Sequence, residues 1–291
     1  MRDSAFHRCH PAVNFLYFVI AAATAMLFPH PVYLVIGAVC SLCWLALLRG
    51  RRGVTAALRL ALPLALMVVV ISPLANARGR TVLFEVFGRS ITLQAVETAL
   101  LSAGTLFLVI VWFFLYSAIM TSDRFLHLFG RAAPSASLLV GMTLRLIPTM
   151  QDRLAAIRQA RHGLRGVPEP GRRLRDRVGE GLRSLTTLMT WSMEGAITTA
   201  DAMKARGYGT GRRTSFSLFR FSRTDSRTLM GLLVLFAVVI ASHFAGFTQY
   251  AVYPAAGPIV IAPAALLSYA AFAGMLSIPL ILELKERLTW R

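Results

Sequence analysis

The sequence predicts an all-α, multi-pass membrane protein with about six spanning helices and two long amphipathic helices on the cytoplasmic side. Three observations predict it. The 291 residues are 56% hydrophobic, above the ~45–50% of a soluble domain. The excess falls in runs near the ~20 residues that a helix needs to cross a bilayer. The basic residues, 31 against 13 acidic for a formal charge of +18, gather between those runs. A soluble chain this basic points to nucleic acid. Here the apolar runs place the charge by membrane topology, and no nucleic-acid partner is expected.

The six apolar runs lie at about 12–28, 32–48, 58–75, 93–118, 228–246 and 258–282. Arg2 and Arg8 precede the first. No convincing small-residue cleavage site follows it, so it reads as a retained helix. Pro29-His30-Pro31 separates the first two runs, and Arg49-Gly50-Arg51-Arg52-Gly53 the next two, both with turn chemistry. Between the third and fourth, two β-prone pieces within Thr81–Thr92 flank Gly88 and predict a short hairpin.

Basic residues favour the cytoplasm. Arg49, Arg51 and Arg52 put the second connection inside, and the N-terminus with it. Residues 119–227 hold 19 of the 31 basic residues, and Lys285, Arg287 and Arg291 close the chain on the same side. Both termini are expected in the cytoplasm and the protein in the plasma membrane. The expected organisation is residues 1–118 with four spans, 119–227 as the cytoplasmic segment, and 228–291 with two spans. The stretch 135–150 is apolar but short and contains Arg145, a costly residue inside a bilayer. It reads as a surface helix rather than a seventh span.

The cytoplasmic segment carries two amphipathic helices. In the first, from about Ser135 to Arg165, Leu139, Met142, Leu146, Met150, Leu154 and Ile157 recur at helical steps. Gly163 and Gly166, then Pro168 and Pro170, are expected to stop it. In the second, from about Arg172 to Arg206, Leu182, Leu185, Met189, Met193, Ala196, Ala200 and Met203 make one stripe. Arg183, Thr187, Thr190, Glu194, Thr198 and Asp201 make the opposite one. Gly207 is the expected cap, since glycine tolerates the left-handed conformation. Both helices thus end in Ala-Arg close to a glycine. One such arginine complements the helix dipole for ~0.3–1 kcal/mol. Two in one segment predict paired docking tips, the guanidinium fork suiting carboxylates of a protein partner. The remaining arginines suit membrane lipid headgroups.

Several activities lose ground. Gly209–Thr214 lacks the spacing and the lysine of a phosphate-binding loop, so ATP hydrolysis is expected elsewhere. The span centres hold no Asp, Glu, Lys or Arg, which disfavours an ion-coupled secondary transporter. Cys40-x-x-Cys43 lies in an apolar run without the further ligands that zinc requires. Neither a cofactor nor a catalytic constellation is expected. A membrane enzyme acting on lipid or isoprenoid substrates stands as the alternative.

Ala200-Asp201-Ala202-Met203-Lys204-Ala205-Arg206-Gly207-Tyr208-Gly209, followed by Arg213-Thr214, resembles the signature of the T component of energy-coupling factor importers. Leu144-Arg145-Leu146-Ile147-Pro148 resembles the lead-in to that family's first coupling helix, and the hairpin-like stretch is similar as well. The resemblance implies two ATP-binding cassette ATPase subunits that dock on Ala160, Arg161, Ala205, Arg206 and Gly207. It implies a substrate-binding S component held on the apolar faces, for which Leu185, Met189, Met193, Ile197 and Met203 are the expected contacts. ATPase closure would move the helices and tilt the S component, bringing in a vitamin or transition-metal ion. One departure stands out. The first motif reads Gln159-Ala160-Arg161-His162-Gly163, with His where the family has Gly. Gly163 would then cap one place late, and Arg165-Gly166 is the rival alignment.

Overall fold

A computed structural model describes residues 6–75, 81–86, 89–130, 133–165, 174–211, 219, 221–250, 252 and 262–289. Among them the protein is helical apart from one hairpin. The chain divides into two compact units. Unit 1 is Met1–Phe125 with Phe219–Arg291, and unit 2 is Leu126–Leu218.

Unit 1 begins with a 3₁₀ turn, Phe6–Arg8, and helix α1, Pro11–Leu27. His10 caps α1, its Nδ1 accepting from the Ala12 amide at 3.2 Å, with Pro11 in the first turn where its missing N–H costs nothing. Helix α2 follows as Pro31–Ala75. The turn expected across Arg49–Gly53 narrows to one residue: two helices meet at Gly50, whose φ 65° and ψ −165° are not helical. A residue without Cβ reaches that conformation freely, so one position suffices for the break. His30 caps α2 as His10 caps α1, through Nδ1 and the Val32 amide at 3.2 Å.

Strands β1, Val82–Val86, and β2, Arg89–Thr92, pair antiparallel with Glu85 opposite Ser90, in the stretch where a hairpin was expected. Thr92 ends the hairpin and caps α3, Leu93–Ile119. Helices α2 and α3 approach closely at two glycines. A Cβ on Gly37 would lie 2.8 Å from Leu108 Cδ2, and one on Gly104 would lie 3.1 Å from Leu34 Cδ1. Small residues that admit a neighbour's side chain are how apolar helices pack without a hydrophobic drive between them. Helices α7, Arg223–Phe244, and α8, Pro263–Thr289, complete the unit. The sequence places the start of the last run at 258, which lies outside the described residues.

The core of unit 1 is aromatic. Phe6, Tyr17, Phe18, Trp44 and Trp112 pack mostly edge to face with centroids 5.3–6.2 Å apart, a favoured ring geometry. The Tyr17 hydroxyl donates to the Leu276 carbonyl at 3.1 Å, joining α1 to α8. Helices α2, α3, α7 and the Pro263–Lys285 part of α8 are long and apolar enough to cross a membrane, and α1 is apolar but shorter.

Unit 2 contains the second half of α4, Ser122–Phe129, then α5, Pro134–Arg165, and α6, Leu174–Ala205. Helix α5 is not among those apolar enough to span. Arg145 and the polar positions around it set that limit.

Candidate functional site

Helices α5 and α6 meet over a short stretch. Ser192 Oγ lies 3.1 Å from Met150 Sδ. The Arg153 guanidinium donates to the Trp191 carbonyl at 3.4 Å and sits 5.9 Å from the Trp191 ring centre. Arg161 Nη2 donates to Thr187 Oγ1 at 3.4 Å. Ile157 and Ser184 are buried in the same region. From Met150 to Arg161 α5 advances about 16 Å, while the partner positions on α6 move back only about 8 Å. The two helices therefore run antiparallel over this stretch.

The contact face of α5 is Met150, Arg153, Ile157 and Arg161, one stripe at three- and four-residue steps. Reading the sequence for apolar residues alone missed Arg153 and Trp191. The signal was present, because Arg153 falls in register with Met150 and Ile157. The other half of the expected α5 stripe, at Leu139 and Leu146, stays exposed.

Helix α6 ends in a Schellman motif. The Gly207 amide donates to the Lys204 carbonyl at 2.9 Å and the Tyr208 amide to the Met203 carbonyl at 3.0 Å. Gly207 has φ 79°. The two bonds satisfy carbonyls that a helix end otherwise leaves open. They also fix the direction of the chain at Arg206, which is exposed with Ala205 and Gly207. Arg206 stands 19 residues beyond Thr187, roughly 28 Å along the helix axis.

The end of α5 is different. The helix passes through His162 and Gly163 to Arg165, and Gly163 is not among the glycines at positive φ. The expectation that Gly163 stops or caps the helix is corrected. A glycine inside a helix costs stability but does not force an end. Gly166, Pro168, Pro170 and the His162 side chain lie outside the described residues. Ala160 is exposed, and Arg161 is half-buried against Thr187.

The apolar face of α6 lies away from α5. Leu185, Met189, Met193 and Ile197 are 49%, 70%, 71% and 64% exposed, and Met203 is half-buried. At about 100° per residue they form one broad side, whereas Ser184, Trp191 and Gly195 point to another. A contiguous apolar side of this kind marks an interaction surface. The hydroxyls of Thr187, Thr190 and Thr198 donate to carbonyls four residues back.

No group of three or more His, Cys, Asp or Glu able to hold a metal ion occurs among the described residues. His30 is buried beside Tyr33 and Tyr269, and burial, then the neighbouring His243, pulls its pKa below the usual 6.5. Cys9, Cys40 and Cys43 form no disulfide among the described residues.

No curated protein matches the chain. The family model described as cobalt transport protein (CbiQ) matches residues 3–216. The match runs from the first turn of unit 1 through α5, α6 and the Gly207 turn. With well over half its length matched and its apolar helices long enough to cross a bilayer, the chain belongs to the cobalt transport protein family and is a membrane-embedded transport component rather than an enzyme.

Proposed function

We propose that the chain is the transmembrane coupling component of an energy-coupling factor importer. The observation that carries the reading is α6 itself: an exposed arginine at a Schellman-capped tip, and an exposed apolar side on the same rigid rod. Two ATP-binding cassette subunits would dock on the tips through Ala160, Arg161, Ala205, Arg206 and Gly207. Arg206 lies roughly 28 Å along α6 from Thr187, the residue that Arg161 contacts, which suits two sites on the partners better than one. A substrate-binding membrane subunit would sit on Leu185, Met189, Met193, Ile197 and Met203. Methionine-rich surfaces adapt to a partner's shape. That subunit would select the cargo, a vitamin or transition-metal ion.

The membrane part is read as six spans with both termini in the cytoplasm. Helix α2 comprises two helices that meet at Gly50, about 28 Å and about 38 Å long against a hydrocarbon core of ~30 Å. Divided at Gly50 it supplies two spans, and α1, α3, α7 and α8 the others. Residues 1–118 and 228–291 would be membrane-embedded, and 119–227 the cytoplasmic coupling segment in contact with lipid headgroups.

The test is reconstitution in vesicles with candidate ATP-binding cassette and substrate-binding subunits. Uptake that needs ATP and all three kinds of subunit is expected. Uptake by this chain alone without ATP, or lipid turnover by the purified chain, would overturn the reading.

A further inference from the structure

Unit 2 is an insertion in unit 1. The chain leaves unit 1 after Phe125 and re-enters it at Phe219. On the unit 1 side the two joints are tied to each other. Arg124 is only 5% exposed, and its guanidinium carbon lies 5.7 Å from the centre of the Phe219 ring. Six residues on, Asp225 is 3% exposed. Its Oδ2 accepts from the Ser222 amide at 2.8 Å and the Ser222 hydroxyl at 2.9 Å, and its Oδ1 accepts from the His10 amide at 3.0 Å. The Cys9 thiol donates to the same carboxylate. The His10 ring meets Phe221 edge-on at 5.4 Å.

Burying a cation and a carboxylate is costly unless each is well partnered. Ser222 alone would cap α7, so a buried Asp225 is more than helix initiation requires. Its second oxygen reaches 215 residues back in sequence, to the segment before α1. Burial, then the Asp225 charge, pushes the Cys9 thiol up to about 12, with the Arg124 charge opposing. Cys9 thus remains a protonated donor at working pH, and Arg124 is near enough for its charge to be felt there.

We propose that these groups form a pivot clamp: Arg124 and Phe219 hold the two joints of the insertion as one strap, and Asp225, with Cys9 and His10, fastens that strap to the N-terminal segment. Any displacement of unit 2 then reaches α1, α3 and α7 at one point instead of being lost in two independent linkers. The clamp is a feature of unit 1 alone; its role in transport rests on the coupling function proposed above. Arg124, Phe219 and Asp225 are positioning residues in that role.

Two measurements test it. The first is hydrogen exchange on the full chain in detergent, comparing wild type with Arg124→Gln, Phe219→Leu and Arg124→Lys. In Arg124→Gln, amides at 121–125 and at 221–226 should both exchange about tenfold faster, the scale of a desolvated cation–π contact. Phe219→Leu should do the same, Arg124→Lys should restore part of the protection, and α3 and α8 should stay unchanged. Faster exchange at 121–125 alone, or equal loss across α3 and α8, would overturn the clamp. The second is uptake per ATP hydrolysed in the reconstituted complex. Arg124→Gln should lower that ratio several-fold while hydrolysis and complex yield persist, and an unchanged ratio would overturn the transmission role. A wild-type chain that takes up no ATPase subunit would count against the coupling function, with the exchange result still deciding the clamp.

Discussion

Helices α5 and α6 have the same length and nearly the same ending in sequence, Ala-Arg near a glycine, yet that pair sits differently in each. At α6 the glycine follows the arginine directly, turns left-handed, and closes two backbone bonds around Arg206. At α5 a histidine intervenes, the glycine stays helical, and the arginine turns toward Thr187 of the neighbouring helix. One residue of offset separates an arginine held out at a fixed tip from one partly engaged inside its own unit. A motif in sequence is therefore a position on a helix, and its use depends on where the helix stops.

The sharpest way to break this comparison is charge reversal. Arg206→Glu should reduce copurification of ATPase subunits at least about tenfold, as losing a buried charge pair at an interface does, with membrane insertion intact. Arg161→Glu should cost less, since its guanidinium already has a partner in Thr187. Equal losses would erase the distinction. Next come the glycines, read as thermal stability of the folded chain. Gly207→Ala should destabilise by about 1–2 kcal/mol, because Ala at positive φ is strained and its Cβ would lie 3.2 Å from Thr210 Oγ1. Gly163→Ala should act in the opposite sense, stabilising by ~0.5–1 kcal/mol as in any helix interior. Destabilisation at both would mean that α5 also ends in a left-handed turn.

The smallest effect concerns pH. Unit 1 titrates. His30 has a folded-state pKa below 6.5, so the unfolded chain binds the proton more readily. The stability it contributes is present above 6.5 and is lost as pH falls toward the lowered value. Protonated Nδ1 also cannot accept from Val32. The melting temperature should fall on acidification below 6.5, and His30→Asn, which keeps a capping oxygen, should flatten that slope.

Much of the helical frame was legible in the sequence because it rests on local signals. The predicted 135–165 and 172–206 became Pro134–Arg165 and Leu174–Ala205, since an amphipathic period and a glycine after the last turn are both short-range. The hairpin before α3 was legible for the same reason. What escaped reading was tertiary. Arg49–Gly53 looks like a five-residue turn, whereas the break between the two helices is confined to Gly50. Arg153 on Trp191 joins residues 38 apart, and Asp225 on the His10 amide spans 215; no local period announces either. Gly163 misled because the same residue that caps a helix is tolerated inside one.

The proposed coupling role requires Arg206 to face an ATPase subunit. A photo-reactive amino acid placed at 206, and in parallel at 161, in the chain expressed in its native cells, addresses that directly. Irradiation followed by mass spectrometry should identify an ATP-binding cassette subunit as the protein joined to position 206, in higher yield than from position 161. Adducts from 206 solely with lipid, or solely with this chain itself, would contradict it.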